Sequence, residues 1–402
     1  MKKPRTAIVH DWLVTYGGAE RVLEAILEQF PDANLFSLYD FLEPDQRNFI
    51  RNKPVITSFL QKFPLAKTRY RDYLPLMPLA IEQFDLSEYD LVISSSHAAA
   101  KGVITGPAQL HICMCYSPAR YAWDLTHQYL KEAGLNRSLK GWLAKYILHR
   151  FRLWDRSSSV GVDEYIAISH YISRRIKKVY GRDSTVIYPP VDSDTFQLCV
   201  DKDDYYMTSS RMVPYKKMDL IVRAFSLMPN RRLVVIGDGP DYAKVRSVAG
   251  DNIQLLGYQP GDVLKQYMRR AKAFVFAAEE DFGIAPIEAQ ACGTPVIAFG
   301  KGGILETVIN GETGVFFDRQ DEQEIIRAVS YFERNSDRFD PETIRRNALR
   351  FSKDRFHEEF RDFVDNAIRK HIQNRDSGIG DSQNLKSQEQ NLVDSAEEIL
   401  AG

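Results

Sequence analysis

The chain has 402 residues, 44% of them hydrophobic and 27% charged, with a formal net charge of -1, the profile of a soluble globular protein long enough for two Rossmann-sized domains. That balance argues against a nucleic-acid binder relying on a global basic field, and no run of about 18 apolar residues offers a membrane span. Four cysteines, Cys113, Cys115, Cys199 and Cys292, are too few and too scattered for a disulfide framework and suit a reducing cytoplasm.

The opening MKKPRTAIVHDW has only a short apolar stretch before polar residues, unlike a signal peptide. Thr6 to Val9 is expected as a buried strand, followed by a loop and a helix from Ala19 to Phe30 with apolar Val22, Leu23, Ile26 and Leu27. Gly17 and Gly18 directly precede that helix, where backbone N–H groups can approach a pyrophosphate. Asn34 to Leu38 and Asp90 to Ser94 are further strands. Between them, Lys53, Lys62, Lys67, Arg69 and Arg71 interleave with Phe59, Leu60, Phe63, Tyr70, Tyr73 and Leu74. Such a segment is either a solvated helix face or a surface for anionic lipid.

His97 follows the strand ending near Ser94, at the carboxyl edge of the sheet, and is a site candidate there. Leu110 to Cys115 is another strand, with Cys113 and Cys115 on one face, suited to core packing. The loop YSPARYAWD then offers Tyr116, Arg120, Tyr121 and Trp123, rings and a cation suited to stacking on a sugar and contacting a phosphate, hence an acceptor. Asn136 to Ser157 carries Arg137, Lys140, Lys145, Arg150, Arg152 and Arg156 against Asp155 alone, with Trp142, Leu143, Tyr146, Ile147 and Trp154 at helical spacings: an amphipathic basic helix. Glu164 to Ser169 and Ser184 to Tyr188 bracket the helix HYISRRIKKVYG. Pro189, Pro190 and the polar run after them form a linker, and the Asp192-x-Asp194 pair within it lies away from any strand edge, so no metal site is assigned.

Tyr205 to Ser210 restarts the strand pattern, with Arg211 and Lys216 just beyond its end. LVVIGDGPDY lacks a third glycine at Tyr242, so the dinucleotide fingerprint is incomplete and NAD is rejected. Gly257 and Tyr258 sit in a loop placed to meet a nucleotide base through its backbone. Ala273 to Ala278 is short and apolar, a strand buried on both faces, and Ile284 to Cys292 is a helix stopped by Gly293 with Pro286 in its first turn. The turn EEDFG between them lies at the carboxyl end of a strand and feeds a helix N-terminus, where open α/β sheets place ligands. Glu280 and Glu288, separated by seven residues, are read as acceptors for the hydroxyls of a hexose and a ribose respectively. Pro341 to His371 is a long amphipathic stretch, and the polar chain from about Asn374 has the composition of disorder.

The run EEDFGIAPIEAQACGTPVIAFGKGG resembles the donor-sugar motif of the retaining glycosyltransferases of family 4, and GGAERV, AISHYISRRI, VIYPPVD and SRMVPYKK are similar to other patterns of that family. The resemblance covers roughly residues 5–372. It implies an α/β protein of the GT-B fold: two Rossmann-like domains facing each other across a cleft, residues 1–190 binding acceptor and 191–350 binding a nucleotide-sugar, a helix at 351–373 crossing back, and a tail at 374–402. It further implies a metal-independent, retaining hexosyltransferase of polysaccharide biosynthesis that needs no cofactor. His97, Arg211, Lys216 and Glu280 would then be catalytic, and Gly17, Gly18, Gly257, Tyr258, Phe282, Gly283, Ile284 and Glu288 would hold the donor. The family usually has glycine where Lys217 stands, which leaves open which lysine reaches the phosphate. A UDP-glucose-type donor is favoured over a GDP-mannose-type one, and the acceptor is a saccharide or lipid-linked saccharide. A cytoplasmic location is expected, either free or in peripheral contact with the inner face of the plasma membrane. The rival reading is a nucleotide-sugar 2-epimerase of the same fold.

Overall fold

The computed structural model describes residues 4–132, 134–135 and 138–375. The N-terminal domain holds seven parallel strands: β1 (Thr6–His10), β2 (Asn34–Ser37), β3 (Val55–Thr57), β4 (Leu91–Ser96), β5 (Leu110–Cys115), β6 (Glu164–Ala167) and β7 (Thr185–Val186), in the order β3-β2-β1-β4-β5-β6-β7. The C-terminal domain holds six: β8 (Tyr206–Ser209), β9 (Leu233–Ile236), β10 (Ile253–Gly257), β11 (Ala273–Phe276), β12 (Val296–Phe299) and β13 (Gly314–Phe317), in the order β10-β9-β8-β11-β12-β13. Each order reverses around its first strand, which opens a crevice at the carboxyl ends of β1 and β4 and of β8 and β11. The central strands are buried along their whole length, as their continuous apolar composition requires when helices cover both faces.

Two crossings of the chain run side by side at the seam, tied by the Val191 amide donating to the Phe351 carbonyl at 2.8 Å. The Pro341 to His371 stretch, expected to hold the final helices with one over 351–373, divides there. A helix spans Pro341–Leu349, Phe351 is buried, Ser352 pairs with Val191, and a new helix runs from 353 to the last described residue, 375. This second helix lies on the N-terminal domain: Phe356, Phe360 and Val364 are buried, Phe360 meets Phe30 edge-on at 6.4 Å, and Lys353 pairs with Glu28 at 2.7 Å. Arg137 and residues 376–402 of the expected tail lie outside the described residues. No described helix is long and apolar enough to cross a membrane.

Candidate functional site

The EEDFG turn leaves β11 and is gripped by the loop after β12. Glu280 bridges to Gly302, the Gly303 amide donates to the Glu280 carbonyl at 2.7 Å, and a Cβ on Gly303 would sit 2.3 Å from the Asp281 carbonyl. Only a glycine permits that approach of two backbones. Gly283 then takes φ 93° as the residue before the helix Ile284–Ala291, so the helix starts abruptly with its N-terminal amides toward the cleft. On this frame the Glu280 carboxylate accepts a hydrogen bond from the Lys216 ammonium, both side chains being largely enclosed. Burial opposes the charge on Lys216, but Glu280 and the neighbouring Tyr215 hydroxyl outweigh it and raise its pKa.

Lys217 adopts φ 56° and ψ 32°, the left-handed conformation that glycine supplies most cheaply. Position 217 therefore has the backbone of the expected glycine, and Lys216 is the lysine aimed at Glu280. Arg211 is exposed beside it, its side chain without a hydrogen-bond or ion-pair partner among the described residues. Glu288 is 4% exposed on the helix Ile284–Ala291 and is paired with Arg21 of the other domain. Arg21 belongs to the helix Gly18–Gln29, whose start packs on the same spot: a Cβ on Gly18 would lie 3.1 Å from Ile284 Cδ1. Two helix N-termini thus converge across the crevice. Gly257 has φ 65° and its carbonyl accepts from the Gly237 amide at 2.8 Å, while Tyr258 is 76% exposed at the outer end of this edge. Phe282 is buried, stacked on Tyr188 and edge-on to Phe351, so its ring is packed at the seam.

On the N-terminal side, Asp11 follows β1 and is wholly buried. Its two oxygens accept from the backbone amides of His97, Ala98, Ala99 and Ala100 at 2.6 to 3.0 Å, and Oδ2 lies 2.9 Å from His97 Nδ1. Burial alone would raise the Asp11 pKa, yet His97 and the amides carry it well below the usual carboxylate range. Burial likewise opposes protonation of His97, and Asp11 overrides it, raising the imidazole pKa. Trp12 meets the ring edge-on at 4.6 Å, leaving Nε2 as the nitrogen not engaged by Asp11. Beside it, Glu20 closes the glycine loop by accepting from the Gly17 amide at 2.9 Å.

The YSPARYAWD loop divides. Tyr116 is buried, its hydroxyl bonded to Ser95 Oγ at 2.7 Å and to the Ala19 carbonyl at 3.0 Å, and Trp123 Nε1 donates to Asp155 at 2.7 Å, so both polar groups serve the interior rather than an acceptor. Tyr121 packs against Tyr129 and Phe151. Arg120 reaches across the seam to Asp281 at 3.3 Å and lies over the Tyr215 ring. Arg175 joins it on Asp281 at 2.8 Å, Tyr171 donates to Glu279 at 2.7 Å, and Glu306 accepts from the amides of His170 and Tyr171. The site therefore brings together Gly17, Gly18, Lys216, Glu280, Ile284 and Glu288, with His97 on the facing edge. Asp11, Arg21 and Asp281 are structural members that sequence reasoning passed over. Their one sequence signal is position: Asp11 directly follows a strand, Arg21 stands in the first turn of a helix, and Asp281 lies in the turn that joins a strand to a helix.

A profile of the family described as "Glycosyl transferases group 1" matches residues 193–350. Among curated relatives, an uncharacterized glycosyltransferase of Methanocaldococcus jannaschii is 26% identical over 209 residues, 50% of this chain and 58% of that one. A GDP-mannose-dependent alpha-(1-6)-phosphatidylinositol monomannoside mannosyltransferase of Mycolicibacterium smegmatis is 27% identical over 193 residues, 40% of this chain and 50% of that one. The chain thus spans about half the length of the curated relatives it matches. Among solved structures, Anabaena HepE in complex with UDP and glucose superposes with a TM-score of 0.65 at 19% identity, covering 89% of this chain and 99% of that one, a likeness of fold. Residues 193–350, with the EEDFG turn and both site glutamates, thus match the model of the group 1 glycosyl transferases, and the described chain has the two-domain GT-B fold.

Proposed function

We propose that the protein is a retaining hexosyltransferase that binds a nucleotide-diphosphate sugar between the EEDFG turn and the glycine loop and passes the hexosyl group to a saccharide or lipid-linked saccharide. The observation that carries this reading is the convergence of Lys216–Glu280 and Arg21–Glu288 where two helix N-termini meet, which offers cations and amides to a diphosphate and carboxylates to two sets of sugar hydroxyls. Glu280 takes the hexose, Glu288 the ribose, and Lys216 with Arg211 the diphosphate. Charge on the leaving diphosphate is then neutralised by the protein, so no metal is required. His97 presents Nε2 to the sugar from the opposite edge, and the leaving diphosphate assists deprotonation of the acceptor.

The acceptor side is proposed to rest on a membrane. On the helix Leu139–Ser158, Leu139 is 91% exposed, Trp142 70%, and Leu143 and Tyr146 53% each, one face at i, i+3, i+4 and i+7 spacing. Lys140, Lys145 and Arg150 flank it, and no acid occurs between Glu132 and Asp155. Apolar knobs among cations suit an anionic bilayer surface. The earlier basic segment is a poorer candidate, because Lys67 pairs with Glu43 and Arg69 with Asp72.

A thermal-shift panel of UDP, GDP, ADP and their sugars tests the donor. The true ligand at 100 times its Kd adds about 2.7 kcal/mol. UDP-sugars are expected to stabilise most, and no response to any nucleotide would sink the reading. An epimerase would make a new nucleotide-sugar from donor alone, whereas a transferase at most hydrolyses it slowly.

A further inference from the structure

The partner of Glu288 comes from the other domain. Arg21 stands in the first turn of the helix Gly18–Gln29, directly behind the glycine pair, and its guanidinium holds Glu288 Oε1. Glu288 Oε2 has no hydrogen bond among the described residues. Held by an arginine on one oxygen, the carboxylate is fixed in orientation and keeps the lone pairs of the other oxygen to accept from a ligand. The contact of Gly18 with Ile284 fixes the spacing of the two helix starts, so the pair forms where the ribose end of a donor would lie.

We propose that Arg21 is a positioning residue of the donor site, contributed by the acceptor-side domain, which fixes the orientation of Glu288 and presents Oε2 to the vicinal diol of a nucleotide's ribose. The inference rests on the assignment of Glu288 to the ribose. It makes the ribose grip a property of both domains together, so that diol recognition is complete only when the crevice is closed at this point.

Isothermal titration of wild type, Arg21→Ala and Arg21→Lys with whichever of UDP and GDP binds, and with its 2′,3′-dideoxy form, separates the outcomes. Wild type should prefer the ribonucleotide by about tenfold or more, the worth of a charge-assisted hydrogen bond. Arg21→Ala should bring that ratio to about twofold or less while binding of the dideoxy form stays near wild type, which also shows that the variant is folded. Arg21→Lys keeps the charge without the fork and should restore part of the ratio. An undiminished ratio in Arg21→Ala overturns the inference. A wild-type protein that does not distinguish the two nucleotides overturns the assignment of Glu288 itself, and the role of Arg21 with it.

Discussion

Replacing Asp11 by asparagine is nearly isosteric, and its effect can be worked from the bonds around one buried carboxylate. Oδ1 accepts from the amides of Ala99 and Ala100, and Oδ2 accepts from those of His97 and Ala98 while pairing with His97 Nδ1. An asparagine oxygen can replace one of these oxygens. The amide NH2 that replaces the other faces donors and leaves two buried N–H groups unmade, at about 1–3 kcal/mol each. Loss of the charge partner of His97 adds to this, and breaking a buried pair by removing one member typically costs about 3–5 kcal/mol. We therefore expect Asp11→Asn to lose about 3–5 kcal/mol in urea unfolding at pH 7.

The pH dependence carries a sign. Because the folded pKa of His97 is raised, its contribution is fully present below the unfolded histidine pKa of about 6.5 and is lost as pH rises through the folded value. The Asp11 contribution is present above the unfolded aspartate pKa of about 3.9 and lost only as pH falls toward its depressed folded value. Wild type should thus lose stability as pH rises above about 6.5, and Asp11→Asn should lack most of that slope. A loss under about 1 kcal/mol with the wild-type slope intact would refute the reasoning.

Three further outcomes are expected. Transfer should survive EDTA, and a full requirement for added Mg²⁺ or Mn²⁺ would overturn the protein-only neutralisation of the diphosphate. Lys216→Ala should lower kcat/KM by the equivalent of about 2–4 kcal/mol, by analogy with loss of one preorganised donor, whereas a near-neutral effect would mean that Lys216 serves only as the partner of Glu280. In vesicle flotation the protein should rise with anionic liposomes at low salt, stay down with neutral ones, and be released at 1 M salt, where the Debye length is about 3 Å. Trp142→Ala combined with Leu143→Ala should abolish flotation, and binding that ignores both changes would remove the helix Leu139–Ser158 from the docking surface.

The stretch Ala273 to Gly303 was legible because each piece follows a local rule: an apolar strand, a turn, a helix with proline in its first turn, and glycines where two backbones meet. β3 was not, since Val55–Thr57 is three residues long and sits in a basic segment without alternation. The Val191–Phe351 crossing, where the chain turns between its last two helices, also escaped, because a backbone bond between residues so far apart in the chain leaves no local pattern. Asp11 and Arg21 look like ordinary loop and helix-surface residues until tertiary contacts bring His97 and Glu288 to them from 86 and 267 positions away. Lys217 runs the other way. Its side chain obscured a glycine-like position that its φ of 56° makes plain.

The central claim is that Glu280 and Glu288 divide the donor between them. Titration of a nucleoside diphosphate into wild type, Glu280→Ala and Glu288→Ala, alongside single-turnover transfer from the matching nucleotide-sugar, tests it directly. The account predicts that Glu288→Ala weakens binding of the bare nucleotide by about tenfold or more, while Glu280→Ala binds it normally and transfers no sugar. Equal nucleotide affinity in all three proteins, or normal transfer by Glu280→Ala, would contradict it.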